Sequence, residues 1–216
     1  MASRLSLLEA TNYCLAMLAR RPVNSLAAAD LVPDAAMILA ELRHQNRLVQ
    51  QAGWKFNTEY STKLEKDVNN RVPLTADIAR VDSAKRMGGN FVRSAWRLDL
   101  TQRAISGTMY LFDLGAAARQ EDGFDFSTVS EVWVDLVRLL DFDETPDSFR
   151  HYITIRAGRA IQGKLVTDPA LYRFSLDDEG RALQVLQKEE LDTSDASALN
   201  RRWMLRRSPL GRMESI

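Results

Sequence analysis

The chain has one cysteine, two histidines, no formal net charge and no apolar run near the length that spans a bilayer, and each scarcity removes a class of function. A bilayer-crossing helix needs about 18 consecutive apolar residues. With Cys14 alone, no disulfide can form within the chain, which fits a reducing compartment. Cys14 sits in an apolar helical pattern and reads as a small buried hydrophobe rather than a reactive thiol. His44 and His151 have no cysteine or second histidine at ligand spacing, so no zinc motif exists. Lys and Arg number 29, as do Asp and Glu, a balance that argues against a dedicated nucleic-acid binder. Phosphate-binding loops and the G-x-S-x-G nucleophile turn are missing. Gly88-Gly89-Asn90 and Gly107-Thr108 read instead as hairpin turns. The opening Met-Ala-Ser-Arg leads into an amphipathic helix, not a signal peptide, and a soluble, cytosolically made protein is expected.

What remains is an ordinary core-forming composition, 45% hydrophobic, arranged as helices, strands and helices again. Ser6 and Glu9 fit a capping box. Leu7, Leu8, Thr11, Leu15 and Leu18 then share a helical face that Pro22 ends. Val23 to Leu31 reads as a connection. Asp34 is placed to cap a second helix with an inner stripe of Ala35, Ile38, Leu39, Leu42, Asn46 and Val49. Arg43, Gln45, Arg47 and Gln50 fall on its other faces, and Gly53 stops it. From Trp54 the period changes. Phe56, Thr58, Tyr60 and Thr62 alternate as in a half-buried strand. Short strand candidates follow at Val72–Leu74, Ile78–Asp82, Phe91-Val92, Trp96–Leu98, Met109–Asp113, Phe124–Phe126 and Val132–Leu139. They suggest an antiparallel meander or sandwich.

Helices return at Thr145, placed as a cap, with Pro146 in the first helical position and Asp147 in the first turn. Phe149, Tyr152, Ile153, Ala157, Ala160 and Ile161 form the buried face, and Gly163 closes the helix. Ala157, Gly158 and Ala160 leave room for another helix. Arg150 lies on a different face and should matter far less than Phe149. A longer helix after Pro169 has Leu171, Phe174, Leu183, Leu186 and Leu191 as anchors, with Gly180 as a possible interruption. The expected fold class is therefore α+β. A helical bundle is formed by the N- and C-terminal helices, residues 1–53 and 143–192. An antiparallel β region, residues 54–142, is inserted in it, and a basic tail covers residues 193–216. The two helical parts must pack together, because neither buries both of its stripes alone.

Two clusters carry chemical potential. Asp141, Asp143, Glu144 and Asp147 are dense enough for a hard-metal site or a small hydrolase, but the EF-hand spacing is absent. The preferred reading is an acidic turn that caps a helix. In the tail, Trp203, Met204 and Leu205 are flanked by Arg201, Arg202, Arg206 and Arg207. Trp and Arg favour protein interfaces, so the segment reads first as a docking anchor. Arg–phosphate contact with DNA and a disordered terminus stay open. No catalytic, cofactor-binding or metal-binding residues are expected.

Four blocks in register carry a resemblance. They are Ala10-Thr11-Asn12 with Leu15, Pro22-Val23 and Ser25-Leu26; Gln51-Ala52-Gly53-Trp54-Lys55-Phe56-Asn57-Thr58-Glu59; Leu111-Phe112-Asp113; and Arg138 to Arg159 with its Pro146, Phe149-Arg150 and Tyr152. With these blocks the chain resembles the tail tubular protein A family of short-tailed bacteriophages. It departs where Ala19 stands in place of a glycine, and beyond Asp192 no counterpart is placed. The resemblance implies a virion protein, made in the host cytoplasm, that forms a ring of twelve copies. Such a ring joins the portal protein to the tail nozzle protein, tail tubular protein B, and carries tail fibres. DNA passes through its lumen during ejection without being read.

Overall fold

The structure, a computed structural model, describes residues 4–84, 98–165 and 169–192. Backbone packing divides it into two units, one of residues 1–52 with 140–216 and one of residues 53–139.

In the helical unit, α1 (Leu7–Met17) opens on the expected capping box of Ser6 and Glu9. Its buried side is Ala10, Thr11, Cys14 and Leu15, while Leu7, Leu8 and Leu18 are only half-buried. Pro22 does not end it. Ala19 adopts φ +54, and the N–H groups of Ala19 and Arg20 return to the carbonyls of Ala16 and Leu15. That is the left-handed Schellman stop, here without glycine. The expected connection contains α2 (Leu26–Leu31), capped by Ser25 Oγ, which accepts from Ala28 N–H at 3.1 Å.

Helix α3 (Pro33–Gln50) begins without Asp34 as its cap, because Pro33 takes the first position and Val32 precedes it. Asp34 pairs with Arg20 at 2.9 Å instead. The expected inner stripe is buried throughout, but Gln45 and Gln50, expected outside, are also buried. Gly53 does turn the chain, at φ +81.

Helix α5 (Asp147–Leu165) packs on α1, on α3 and on α6 (Pro169–Asp192). Phe149, Tyr152, Ile153, Ala157 and Ile161 are buried as expected, and Ala160 is half-buried. At Gly158 the side chains of α1 press close: a Cβ there would stand 2.7 Å from Met17 Sδ. Thr145 is not the cap; its hydroxyl donates to Phe142 O at 2.8 Å, and the helix begins one residue after Pro146. Gly163 does not close α5, nor does Gly180 interrupt α6. On α6, Glu179, Ala182 and Leu186 are buried, Leu183 is half-buried and Leu191 is 57% exposed, so Leu191 is not an anchor. The side chains of Leu171 and Phe174 lie outside the described residues.

The β unit opens on buried Trp54 and a 3-10 turn, Lys55–Asn57, where a strand was expected at Phe56. Its strands are β1 (Thr58–Leu64), β2 (Pro73–Leu74), β3 (Ile78–Ser83), β4 (Leu100–Ile105), β5 (Thr108–Asp113) and β6 (Val132–Arg138). They form two antiparallel sheets of order β1-β6-β3 and β2-β5-β4. This is nearer the sandwich expectation than the meander, since β6, last in sequence, is central in its sheet. Val72, Leu74, Val81, Leu111, Phe126, Val132, Val134 and Leu136 belong to one apolar core fed by both sheets.

The expected alternation fails at β1. A bulge between Glu59 and Thr62, with Ser61 at φ +53, puts Tyr60 outside, 52% exposed. Strand β4 had no strand reading. It is joined to β5 through Ser106 and Gly107, at φ +51 and +87, the two left-handed residues of a type I′ turn. Phe124–Phe126 is not a strand: Asp122 and Asp125 accept from the N–H groups of Phe124 and Ser127 and fold the segment into turns. A short helix, α4 (Leu114–Ala118), is capped by Asp113. The candidates at Gly88-Gly89-Asn90, Phe91-Val92 and Trp96-Arg97 lie outside the described residues.

Candidate assembly surfaces and the polar ties beneath them

The acidic turn is a cap, but chiefly for another helix. Leu5 N–H donates to Asp147 Oδ1 at 2.8 Å and Leu7 N–H to Asp143 Oδ1 at 3.0 Å. Leu7 N–H is the first donor of α1, where helical donors have no partners of their own and negative charge is favoured, and Leu5 N–H lies just before the N-cap Ser6. Asp141 N–H donates to Glu144 Oε2 at 3.2 Å, closing the 3-10 turn Phe142–Glu144 on itself. The carboxylates proposed for metal or hydrolytic work thus have structural partners. Among the described residues, no group of three or more His, Cys, Asp or Glu is placed to hold a metal ion.

Beneath this turn lies Arg150, which the helical period put on a different face from Phe149. It is 4% exposed. Its guanidinium donates to Thr145 O at 2.8 Å, to Leu5 O at 3.0 Å and to Asp143 O. Asp143 Oδ1 stands 3.9 Å from the same group. Five donors held in a rigid fork let this one arginine collect carbonyls from two segments far apart in sequence.

A second polar line crosses three helices. Lys164 and Gln45 donate to Glu41 at 2.8 and 2.7 Å. Gln45 Oε1 accepts from Arg156 Nε at 2.8 Å, and Arg156 also reaches Tyr152 OH at 2.8 Å. Glu179 of α6 then receives Arg159 and lies 3.8 Å from Arg156. Burial pushes the Tyr152 hydroxyl above its ordinary pKa, so it stays a neutral hydrogen-bonding group.

Other sequence candidates resolve simply. Cys14 is buried, its thiol faces Thr154 O at 3.5 Å, and burial pushes its pKa up to about 12, which makes it inert. His44 and His151 are exposed. Trp54 is core, and Trp133 is half-buried with Nε1 donating to Glu131 at 3.1 Å. Trp96 lies outside the described residues. So does the whole proposed docking segment: Arg201, Arg202, Trp203, Leu205, Arg206 and Arg207. Among the described residues, no helix is long and apolar enough to cross a membrane.

The four sequence blocks that carried the resemblance coincide with polar ties. Asn12 donates to Val23 O at 3.0 Å and accepts from Val23 N–H at 2.8 Å, pinning the chain just after Pro22. Asn57 accepts from Trp54 N–H at 2.8 Å and donates to Arg138 O at 2.7 Å. Asp113 accepts from the N–H groups of Gly115 and Asp99 at 2.9 and 3.1 Å. Arg138 joins Glu59 to Asp77, and Arg150 makes the joint described above. Sequence reasoning missed these roles: Asn57 and Asp113 also hold local partners, Trp54 and Gly115, but the partners of Arg138 and the Arg138 carbonyl held by Asn57 are remote in sequence, and an Asn, Asp or Arg within an otherwise apolar block was the available signal.

Comparison with known proteins adds one finding. A family model described as tail tubular protein matches residues 8–196. Among curated proteins, none matches.

Proposed function

The chain belongs to the tail tubular protein family and is a structural component of a phage tail; from that premise we propose that it is the adaptor between portal and nozzle. In this reading it forms a ring of twelve copies under the portal protein. It carries the nozzle protein, tail tubular protein B, and tail fibres, and gives DNA a passage during ejection. It is made in the host cytoplasm and acts in the virion tail, without catalysis.

The family match, which runs through both units from residue 8 to residue 196, carries the reading. Three features support it. The acidic turn is engaged in capping. Formal charge is balanced, and a strongly basic lumen would bind phosphates and slow ejection. Two separate units supply the unlike faces that a ring requires. The helical unit forms the ring wall, and the β unit provides axial contacts. The segment Arg201, Arg202, Trp203, Leu205, Arg206 and Arg207 docks on the portal or a neighbouring copy.

Electron microscopy of the purified protein, alone and with its portal, tests the adaptor role. Rings alone or on the portal are expected. A chain that stays monomeric and fails to bind portal rings refutes it. For the tail, Trp203→Ala is expected to weaken portal binding. If it does not, while alanine at Arg201, Arg202, Arg206 and Arg207 reduces only DNA retention, the tail belongs to the channel.

A further inference from the structure

We propose that in the free chain Trp203-Met204-Leu205 lies back along an exposed apolar stripe of its own α6, and that this seat holds the segment until a partner takes it. The inference rests on the reading of the tail as a docking segment and adds where that segment is kept beforehand.

Leu176, Gly180, Leu183, Gln187 and Leu191 recur every three or four residues of α6, so they share one side of the helix. A neighbouring side meets α5: Glu179 receives Arg159, and Ala182 and Leu186 are buried there. The stripe itself stays open. Leu176 is 49% and Leu191 57% exposed, and Leu183 and Gln187 are half-buried.

Gly180 is the second observation. A glycine in a helix interior weakens the helix, because it loses more backbone freedom than any other residue. A Cβ at Gly180 would meet nothing within 4 Å, so packing among the described residues does not require a glycine there. What the missing Cβ does provide is close access to the helix backbone, between Leu176 on one turn and Leu183 on the next. A flat aromatic ring suits such a gap.

The chain leaves α6 where the stripe ends, and residues 193–216 follow, outside the described residues. Thr193, Ser194, Asp195, Ala196, Ser197 and Ala198 are small or polar, as a reversal of the chain requires. Trp203-Met204-Leu205 is the first run of bulky apolar residues beyond them. Gly180 lies about 18 Å back along the helix from Asp192. The chain from Asp192 to Trp203 spans up to roughly 36–40 Å, enough for the turn and the return. Two residues of extended chain advance about 6.6 Å and four of helix about 6 Å, so Trp203 over Gly180 sets Leu205 beside Leu176. The chain's own segment fits this seat better than a second copy's, because a short tether holds it at a high effective concentration.

The test is limited trypsin digestion of the full chain, with cleavage after Arg201, Arg202, Arg206 and Arg207 followed by mass spectrometry. The wild type is compared with Leu176→Asp plus Leu191→Asp and with Gly180→Gln, at several protein concentrations. Thermal melting checks each fold. Both variants are expected to be cut in the tail roughly tenfold faster than the wild type, because proteolysis follows the population of the open form. Gly180→Gln should do so at an unchanged or raised melting temperature, since glutamine favours the helix, a combination that a merely structural glycine would not give. Wild-type protection is expected to be independent of concentration. A wild-type tail cut as fast as the variants' overturns the inference. Protection that fades on dilution also overturns it, and assigns the stripe to the tail of another copy. The docking reading fails separately, if Trp203→Ala leaves portal binding unchanged.

Discussion

The helical unit and the β unit solve the same problem by different means. In the helical unit, polar side chains run between elements: Arg150 reaches Leu5, Gln45 meets Arg156, and Gln50 holds Leu140. Helices satisfy their own backbones and offer neighbours only side chains, so their mutual register needs such links beyond apolar packing. In the β unit the backbone ladder already joins the strands. There the buried polar residues trim it: Asp135 accepts from Ser61 N–H at the bulge, and Asp113 caps α4. The β unit's special demands fall on the backbone. Four of the five described non-glycine residues with positive φ are Ser61, Asn70, Ser106 and Gln120, all within it. The helical unit should therefore be sensitive to lost side-chain groups, and the β unit to altered backbone space.

The largest expected effect is Phe149→Ala, which empties a fully buried site on α5 and should cost about 3–5 kcal/mol. Denaturant unfolding of the isolated protein measures it. It sets the scale for Arg150→Ala, expected at about 2–4 kcal/mol because the buried carbonyl of Thr145 and the partly buried ones of Leu5 and Asp143 lose a charged donor that is itself buried. A loss under about 0.5 kcal/mol, the ordinary range for surface substitutions, would break the comparison and restore the expectation that Arg150 matters far less than Phe149.

Next comes Gly123→Ala in the β unit. Its Cβ would stand 2.6 Å from the Phe112 ring and 2.7 Å from Asp113 O, so about 1–3 kcal/mol is expected from crowding. A neutral result would show that the β unit yields where we hold it rigid. The smallest effect is Arg138→Ala, the partner of Glu59 and Asp77 in half-exposed pairs, at about 0–1 kcal/mol. A hydrogen bond from Thr75, then Arg138, holds the Asp77 carboxyl below its ordinary 3.8. That stabilisation is present above the unfolded value and fades as pH falls through the lowered native one. Removing Arg138 should therefore flatten only part of the acid-side slope of stability. A loss matching that of Arg150→Ala would erase the distinction between the two arginines.

The legible parts of the fold were the local ones. Ser6 and Glu9 make their capping box within one turn, and the stripe from Ala35 to Val49 needs only a period of 3.6. The α+β class followed from the change of period at Trp54. Residue type misled at Gln45, Gln50 and Arg150, where polarity suggested solvent and the partners lay on other segments. Period-2 reading ran straight through Ser61, because a bulge leaves the apolar pattern almost unmarked. Strand β4, Leu-Thr-Gln-Arg-Ala-Ile, lies at a sheet edge and carries too little apolar alternation to announce itself. At the candidate site, the acidic turn was legible as a cap, but not which helix it serves.

The last turn of α3 holds a further consequence. Leu140 N–H donates to Gln50 Oε1 at 2.7 Å, and Leu140 O accepts from Gln50 and Asn46 at 2.8 and 3.0 Å. The chain therefore resumes its helical course beside the place where it left it. A long insertion between adjacent ends adds loop entropy only logarithmically with its length. Residues 53–139 behave, in this sense, as a parenthesis in the helical sequence. Their length can grow, shrink or be exchanged among variants with little thermodynamic penalty to the helices, so long as Gln50 and Leu140 still meet.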